Sequence, residues 1–396
     1  MHVDVIVIGA GASGMMCAAT AGSRGRRVLL IDHYPKLAEK IRISGGGRCN
    51  FTNRDLRADS FLSQNPHFCR SPLSRYTPRD FIALVERHGI RYHEKTLGQL
   101  FCDDSSQRII DLLKAECDAG GVHWQRPSEV LGVAREGDLF RVDTDRGARF
   151  ATSLVIASGG LTVPKMGATP FGYRVATQFG LKVVPPKPAL VPLALDPEWL
   201  SRFGDLSGAS FDSIACCDGP PFREQTLITH RGLSGPAILQ ASSYWQQAGG
   251  GEAVHIDLLP DIDDAERWLY DAREGGRTLA ALLAEHLPRR FAQQWTDFEG
   301  AGKWNAALIE LPRPVLAGIA ARLKDWPLQP SGTLGFNKAE VTLGGVDTRE
   351  LDQKTMSARR VPGLHFVGEV VDVTGWLGGY NFQWAWSSGW CAGQAA

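Results

Sequence analysis

The turn Gly9-Ala10-Gly11-Ala12-Ser13-Gly14 follows directly on the apolar run at residues 3–8, and no other feature limits the fold of this chain so tightly. Its three glycines serve, in order, a tight turn, close approach of the backbone to a pyrophosphate, and helix-on-strand packing. Ala12 and Ser13 open the helix whose free amides face that anion. Alone the pattern is weak, because any α/β protein can carry a glycine turn. Here it is answered near the other end of the chain by Phe366-Val367-Gly368-Glu369-Val370-Val371-Asp372, running into Gly378-Gly379-Tyr380-Asn381. Two such segments serving one ligand predict a doubly wound α/β domain. Its cofactor crosses the sheet, as a long dinucleotide such as FAD does.

The elements between them agree. A helix of small residues (Ala18, Ala19, Ala21) leads to a strand at 28–31, which completes a βαβ unit. Thr77, Pro78 and Asp80 mark a capped helix start, and Gly89 its end. Another helix is expected over 105–119, and residues 122–158 read as a β-meander broken at 136–138 and 145–147. Pro185, Pro186, Pro188 and Pro192 then suit a domain crossing. Further strands are expected near 226–229 and 253–259, and helices near 235–247, 263–274, 277–286 and 313–325. At the C-terminus Ala385, Gly389 and Ala392 share one helix face that permits close packing. The expected organisation is a split dinucleotide domain, 1–187 and 333–396, with a substrate or partner domain inserted at 188–332.

Composition narrows the function. The 43 basic residues balance 43 acidic ones, so no global field for a polyanion is expected. No stretch approaches the roughly 20 uninterrupted apolar residues of a membrane helix. The N-terminus shows no basic segment and no cleavage site. The eight cysteines lack any CxxC or metal spacing and read as reduced thiols. A cytoplasmic protein without membrane or metal is the expectation.

Several residues carry candidate chemistry. Asp32 ends the second strand, where an acid binds adenosine ribose hydroxyls. Ser44-Gly45-Gly46-Gly47-Arg48-Cys49-Asn50 holds three consecutive glycines, costly to order unless their amides meet a ligand. Its Arg48 suits a phosphate or a developing anion, and Asn50 an amide hydrogen bond. Ala157-Ser158-Gly159-Gly160 ends a strand with small residues that admit a cofactor. Gly368, Gly379, Tyr380 and Asn381 stand where the last helix would turn its N-terminus towards the flavin pyrimidine. Glu369 and Asp372 flank that place, one for the ribityl chain and the other for substrate. Lys40 and Val130 are further candidates for FAD contact. For proton transfer the candidates are His230, which precedes a glycine turn, and Cys49, with Glu369 as an alternative. Cys102 reads as a buried, inert thiol. No HExxH, GxSxG or Walker sequence and no metal cluster is present.

The blocks SGGGRCNFTN (44–53), HEKTLGQLFCD (93–103), THRGLSGP (229–236), FNKAEVTLGGV (336–346) and GEVVDVTGWLGGYNFQ (368–383) resemble a bacterial FAD-binding oxidoreductase family. It includes bile-acid-pathway reductases, members described as aminoacetone oxidases, and a dihydrouridine synthase of 23S rRNA. The likeness spans the whole chain, and HEKTLGQLFCD looks closest to the rRNA-modifying branch. The resemblance implies FAD, and an insert built of a β-barrel-like unit and a helical unit.

Three functions follow, in this order of preference. The first is a reductase: NAD(P)H reduces FAD, which passes hydride to a C=C bond such as uracil C5–C6. Arg48 with Arg70, Arg75 and Arg79 would then meet the RNA backbone. With no second GxGxxG, NAD(P)H docks only transiently. The second is an oxidase of a small amine, which the missing NAD(P)H domain favours. The third is a non-catalytic flavin-binding redox or partner module.

Overall fold

The computed structural model describes residues 2–396. The chain divides into two compact units, one made of the residues up to Lys187 together with Val341–Ala396, the other of Pro188–Glu340.

The first unit is built on a sheet whose inner strands are almost wholly apolar, the pattern of parallel strands covered on both faces. Strand β1 (His2–Ile8) leads to helix α1 (Ala12–Ser23) and strand β2 (Val28–Ile31). Then come helix α2 (Glu39–Gly47) and a small antiparallel sheet of β3 (Asn50–Asn53), β4 (Tyr92–Glu94) and β5 (Gln99–Cys102), in the order β3-β5-β4. Strand β6 (His123–Gln125) and the meander β7 (Val130–Glu136), β8 (Leu139–Thr144) and β9 (Gly147–Ile156) follow. Near the C-terminus lie β10 (Leu364–Phe366) and helix α3 (Tyr380–Ala395). The main sheet runs β6-β2-β1-β9-β8-β7. The first half of β9 pairs antiparallel with β8, and its second half pairs parallel with β10.

Helix α3 packs directly on α1. A Cβ on Gly389 would sit 2.4 Å from Ser13 O, and one on Gly393 2.7 Å from Cys17 O, so only glycine allows this approach. The expected small face is present at Gly389 and is extended by Gly393. The helix Pro78–Arg87 carries the expected capping box: Asp80 N–H donates to Thr77 Oγ1, and Thr77 N–H to Asp80 Oδ2 at 2.7 Å. Such a cap is worth about 1 kcal/mol.

The second unit holds a seven-stranded sheet, Trp326–Leu328, Val254–Asp257, Ser210–Cys216, Phe222–Thr229, Gly232–Ser234, Leu193–Ala194 and Gly332–Thr333 in spatial order. Every assigned pair in it is antiparallel. Its two end strands, Trp326–Leu328 and Gly332–Thr333, lie only a short link apart in sequence. That link reaches at most about 14 Å, whereas seven flat strands span about 29 Å. The sheet therefore curls towards closure, which gives the expected barrel-like form. Its helices bury Phe203, Phe291, Trp295 and Trp326, with Phe211 stacked on Phe291 at 4.6 Å. The helices Pro197–Phe203 and Arg289–Gly300 were not foreseen. The first is short, and the second has no polar cap and a polar outer face. Strand Gly332–Thr333 pairs within this unit, so the compact units change over after Glu340 rather than at 332.

Among the described residues, no helix is long and apolar enough to cross a membrane, and no cluster of three or more His, Cys, Asp or Glu could hold a metal.

Candidate flavin site

The parallel strands end in step. Gly9 N–H donates to Ile31 O at 2.8 Å, Ala157 N–H to Ile8 O at 2.8 Å, and Val367 N–H to Ile156 O at 3.0 Å. The ladder thus brings four segments to one edge: Gly9–Gly14, Asp32, Ala157–Gly160 and Gly368–Glu369. In an open α/β sheet this carboxyl edge is where ligands bind.

Within the turn the glycines divide their work. A Cβ on Gly9 would stand 2.3 Å from Ala157 O, and one on Gly14 only 1.8 Å from Gly9 O. Both are fixed by internal packing. Gly11 has nothing within 4 Å of its would-be Cβ. It caps α1 without a side-chain hydrogen bond, which leaves an open approach to the amides of Ala12 and Ser13.

Asp32 accepts from Ala10 N–H at 2.6 Å and from Tyr34 N–H at 2.7 Å, while its carbonyl takes Ser128 N–H at 2.8 Å. The carboxylate thus holds the glycine turn against β2 and keeps lone pairs for a ribose. The Ser128 bond also carries the meander start, with Val130 at a register shift against β8, beside the end of β2.

Glu369 is the hub of the opposite side. Its Oε2 accepts from Lys40 Nζ at 2.8 Å, and its Oε1 from Thr342 N–H at 2.9 Å. Gly160 lies against both, since a Cβ there would come within 2.2 Å of Thr342 Oγ1 and 2.3 Å of Glu369 Oε1. Thr342 Oγ1 accepts from Leu161 N–H at 2.9 Å. Burial, and secondly the Glu369 charge, push the Tyr173 hydroxyl up from its ordinary value. Tyr173 OH and Ser158 Oγ are buried without partners. Gly159 leaves open space. Thr342 and Tyr173 were missed as site residues; only the 336–346 block pointed towards the first.

The Ser44–Arg48 segment kinks α2. Ser44 is extended (ψ 148°), and Gly45 and Gly46 are left-handed (φ 56° and 65°), a conformation that costs glycine little. Ser44 Oγ donates back to Ile41 O at 2.8 Å. Gly46 is open where a side chain would stand. Asn50, with its amide oriented to satisfy both ends, accepts from Gly379 N–H at 3.3 Å. A Cβ on Gly379 would meet Thr52 O at 2.4 Å, so the second glycine pair is seated on β3. Helix α3 begins there with no side-chain cap and no acid in its first turn, leaving its positive end unneutralised.

Other residues expected at the cofactor have partners inside the protein. Asp372 is 2% exposed and accepts from Gln64 N–H at 2.9 Å and Ser63 Oγ at 3.3 Å. Burial pushes its carboxyl up from the ordinary range. Asn381 clamps Gly375, accepting from its N–H and donating to its carbonyl at 2.8 Å each. Tyr380 packs edge-on against Phe61 at 5.9 Å. Gly368 N–H donates to Ser388 Oγ at 3.0 Å.

The proton-transfer candidates differ in setting. Cys49 is fully buried, and burial pushes its thiol far up. Cys102 is buried too, its thiol pushed up to about 12 chiefly by burial. Arg48 is exposed and forms no ion pair among the described residues. His230 is exposed on the turn between Phe222–Thr229 and Gly232–Ser234 in the second unit.

These residues fit a flavin dinucleotide. The gap at Gly11, the partnerless hydroxyls of Ser158 and Tyr173, and the bare N-terminus of α3 are the features such a ligand would fill. The chain matches the model described as "HI0933-like protein Rossmann domain" over residues 3–395. It is 52% identical over 394 residues to the ribosomal RNA dihydrouridine synthase of Escherichia coli K12, covering 99% of this chain and 97% of that protein. Identity to the Haemophilus influenzae ribosomal RNA dihydrouridine synthase is 44%, covering 98% and 96% of the two chains. It is 28% identical to the 3-dehydro-bile acid delta(4,6)-reductase of Clostridium scindens, covering 98% of each. The chain belongs to the HI0933-like Rossmann family.

Proposed function

We propose that this enzyme uses FAD, reduced by NAD(P)H, to saturate the C5–C6 bond of uridine in 23S rRNA. The observation that carries the reading is full-length identity of 52% to a protein named for that reaction, in a chain whose carboxyl-edge loops suit a dinucleotide. The remote reductase relative, also full-length, supports reduction of a double bond as the chemistry class.

Bound there, FAD supplies a hydride equivalent to one carbon of the double bond; the other carbon needs a proton. The chain's residues do the rest. Gly11 and the amides of Ala12 and Ser13 receive the pyrophosphate. Asp32 and the segment at Val130 hold the adenosine end, and the Lys40–Glu369 pair keeps the carboxylate in place. The loop at Gly45 and Gly46, with the bare end of α3, offers donors to an electron-rich ring. A side chain supplies the proton, for which the candidates are His230 and Cys49, with Glu369 as an alternative. The sum balances: NAD(P)H, a proton and uridine give NAD(P)⁺ and dihydrouridine.

The test is mass spectrometry of nucleosides from 23S rRNA, comparing a strain lacking the gene with the complemented strain. Dihydrouridine is expected to vanish and return with the gene. An unchanged level in the deletion strain overturns the rRNA reading.

A further inference from the structure

The zero net charge is a cancellation. The unit made of residues up to Lys187 and Val341–Ala396 carries 30 Lys and Arg against 23 Asp and Glu, a surplus of +7. Pro188–Glu340 carries 13 against 20, a surplus of −7. A polyanion is drawn to the first and repelled by the second.

Within the basic unit, the small sheet β3-β5-β4 has two unlike faces. Phe51, Leu100 and Cys102 are fully buried on one. On the other, Asn50, Phe101 and His93 stand side by side in register. His93 stacks on Phe101 at 6.1 Å and 17°, and Lys95 Nζ lies over the same ring at 5.8 Å. This face continues into the candidate flavin loops. A Cβ on Gly45 would be 2.8 Å from Phe101 Cε1, and Asn50 accepts from Gly379 N–H. Lys95 and Arg48 are exposed and have no carboxylate partner among the described residues. Arg54 alongside is paired with Glu94 at 3.0 Å, but both are half exposed, and such pairs give way readily to a phosphate.

We infer that this face of the β4–β5 hairpin receives the RNA strand beside the flavin. Lys95 and Arg48 meet backbone phosphates, and the His93–Phe101 stack faces the bases. The inference rests on the rRNA reading and deepens it: the dinucleotide unit, rather than the acidic insert, grips the RNA.

The experiment measures binding of 23S rRNA from the deletion strain to wild type, Lys95→Glu and Arg290→Glu, from about 50 to 200 mM salt. Arg290 is an exposed arginine of the acidic unit and serves as control. Lys95→Glu is expected to weaken binding about tenfold and reduce the salt slope by about one, with an unchanged unfolding temperature. Arg290→Glu should match wild type. Unaltered affinity and slope in Lys95→Glu, or a loss confined to Arg290→Glu, overturns the surface. Dihydrouridine formation by wild type is scored on the same RNA. Its absence overturns the rRNA reading, whereas its presence with unaltered Lys95→Glu binding overturns the surface alone.

Discussion

Lys40 Nζ donates to Glu369 Oε2 over 2.8 Å and joins helix α2 to the segment after β10. With Thr342 N–H on the other carboxylate oxygen, Glu369 has little freedom to turn. Lys40→Met is therefore expected to weaken flavin binding about tenfold, or about 1.4 kcal/mol. Stability should change by less than about 1 kcal/mol, because the lysine is 39% exposed. Flavin fluorescence titration and urea unfolding separate the two. Wild-type affinity in the variant would remove the pair from the site.

The glycine turn offers a sharper contrast. Gly14→Ala forces a Cβ against Gly9 O and should cost about 1–3 kcal/mol of stability. Gly11→Ala meets nothing in the protein, so its unfolding midpoint should stay at the wild-type value while flavin affinity falls at least about tenfold. Equal flavin binding by Gly11→Ala and wild type would show that no pyrophosphate lies there.

Proton delivery can be apportioned by two substitutions. His230→Ala should lower kcat by about 10²-fold or more, with flavin content intact. Cys49→Ala should keep kcat, since its thiol is sealed in the core and held protonated. The reverse pattern in single-turnover reduction would move the role to the cysteine.

His365 on β10 is 4% exposed, and its Nδ1 lies 3.0 Å from Thr355 O. Burial depresses its pKa below the ordinary value, only partly offset by that bond. The unfolded chain takes up the proton near pH 6.5 while the fold still resists it. Stability from this group is therefore full above that pH and is lost as pH falls below it, by at most about 1.4 kcal/mol per pH unit. His365→Asn, which keeps an N–H donor, should flatten urea midpoints between pH 7.5 and about 5.5. An identical pH dependence in both proteins would contradict the assignment.

The parts of this fold that are local in sequence were legible there. The strand at 28–31 and the Thr77 capping box follow from periodicity and cap chemistry acting within a few residues. The link from Lys40 to Glu369 was not, because it is made by strand order rather than by any spacing. Asp372 and Asn381 read as ligand contacts because acids and amides beside glycines often are, and their partners inside the protein, Ser63 and Gln64 for the one and Gly375 for the other, were not legible in the sequence. The charge balance misled for another reason: a sum over the chain erases a sign difference between two units.

The central claim is tested most directly with purified, FAD-loaded protein, NAD(P)H and 23S rRNA from the deletion strain, under anaerobic conditions. NAD(P)H consumed and dihydrouridine formed are counted together. The account predicts equal molar amounts of the two and no product without RNA. NAD(P)H that fails to reduce the protein, together with peroxide released from a small amine once air is admitted, would contradict it.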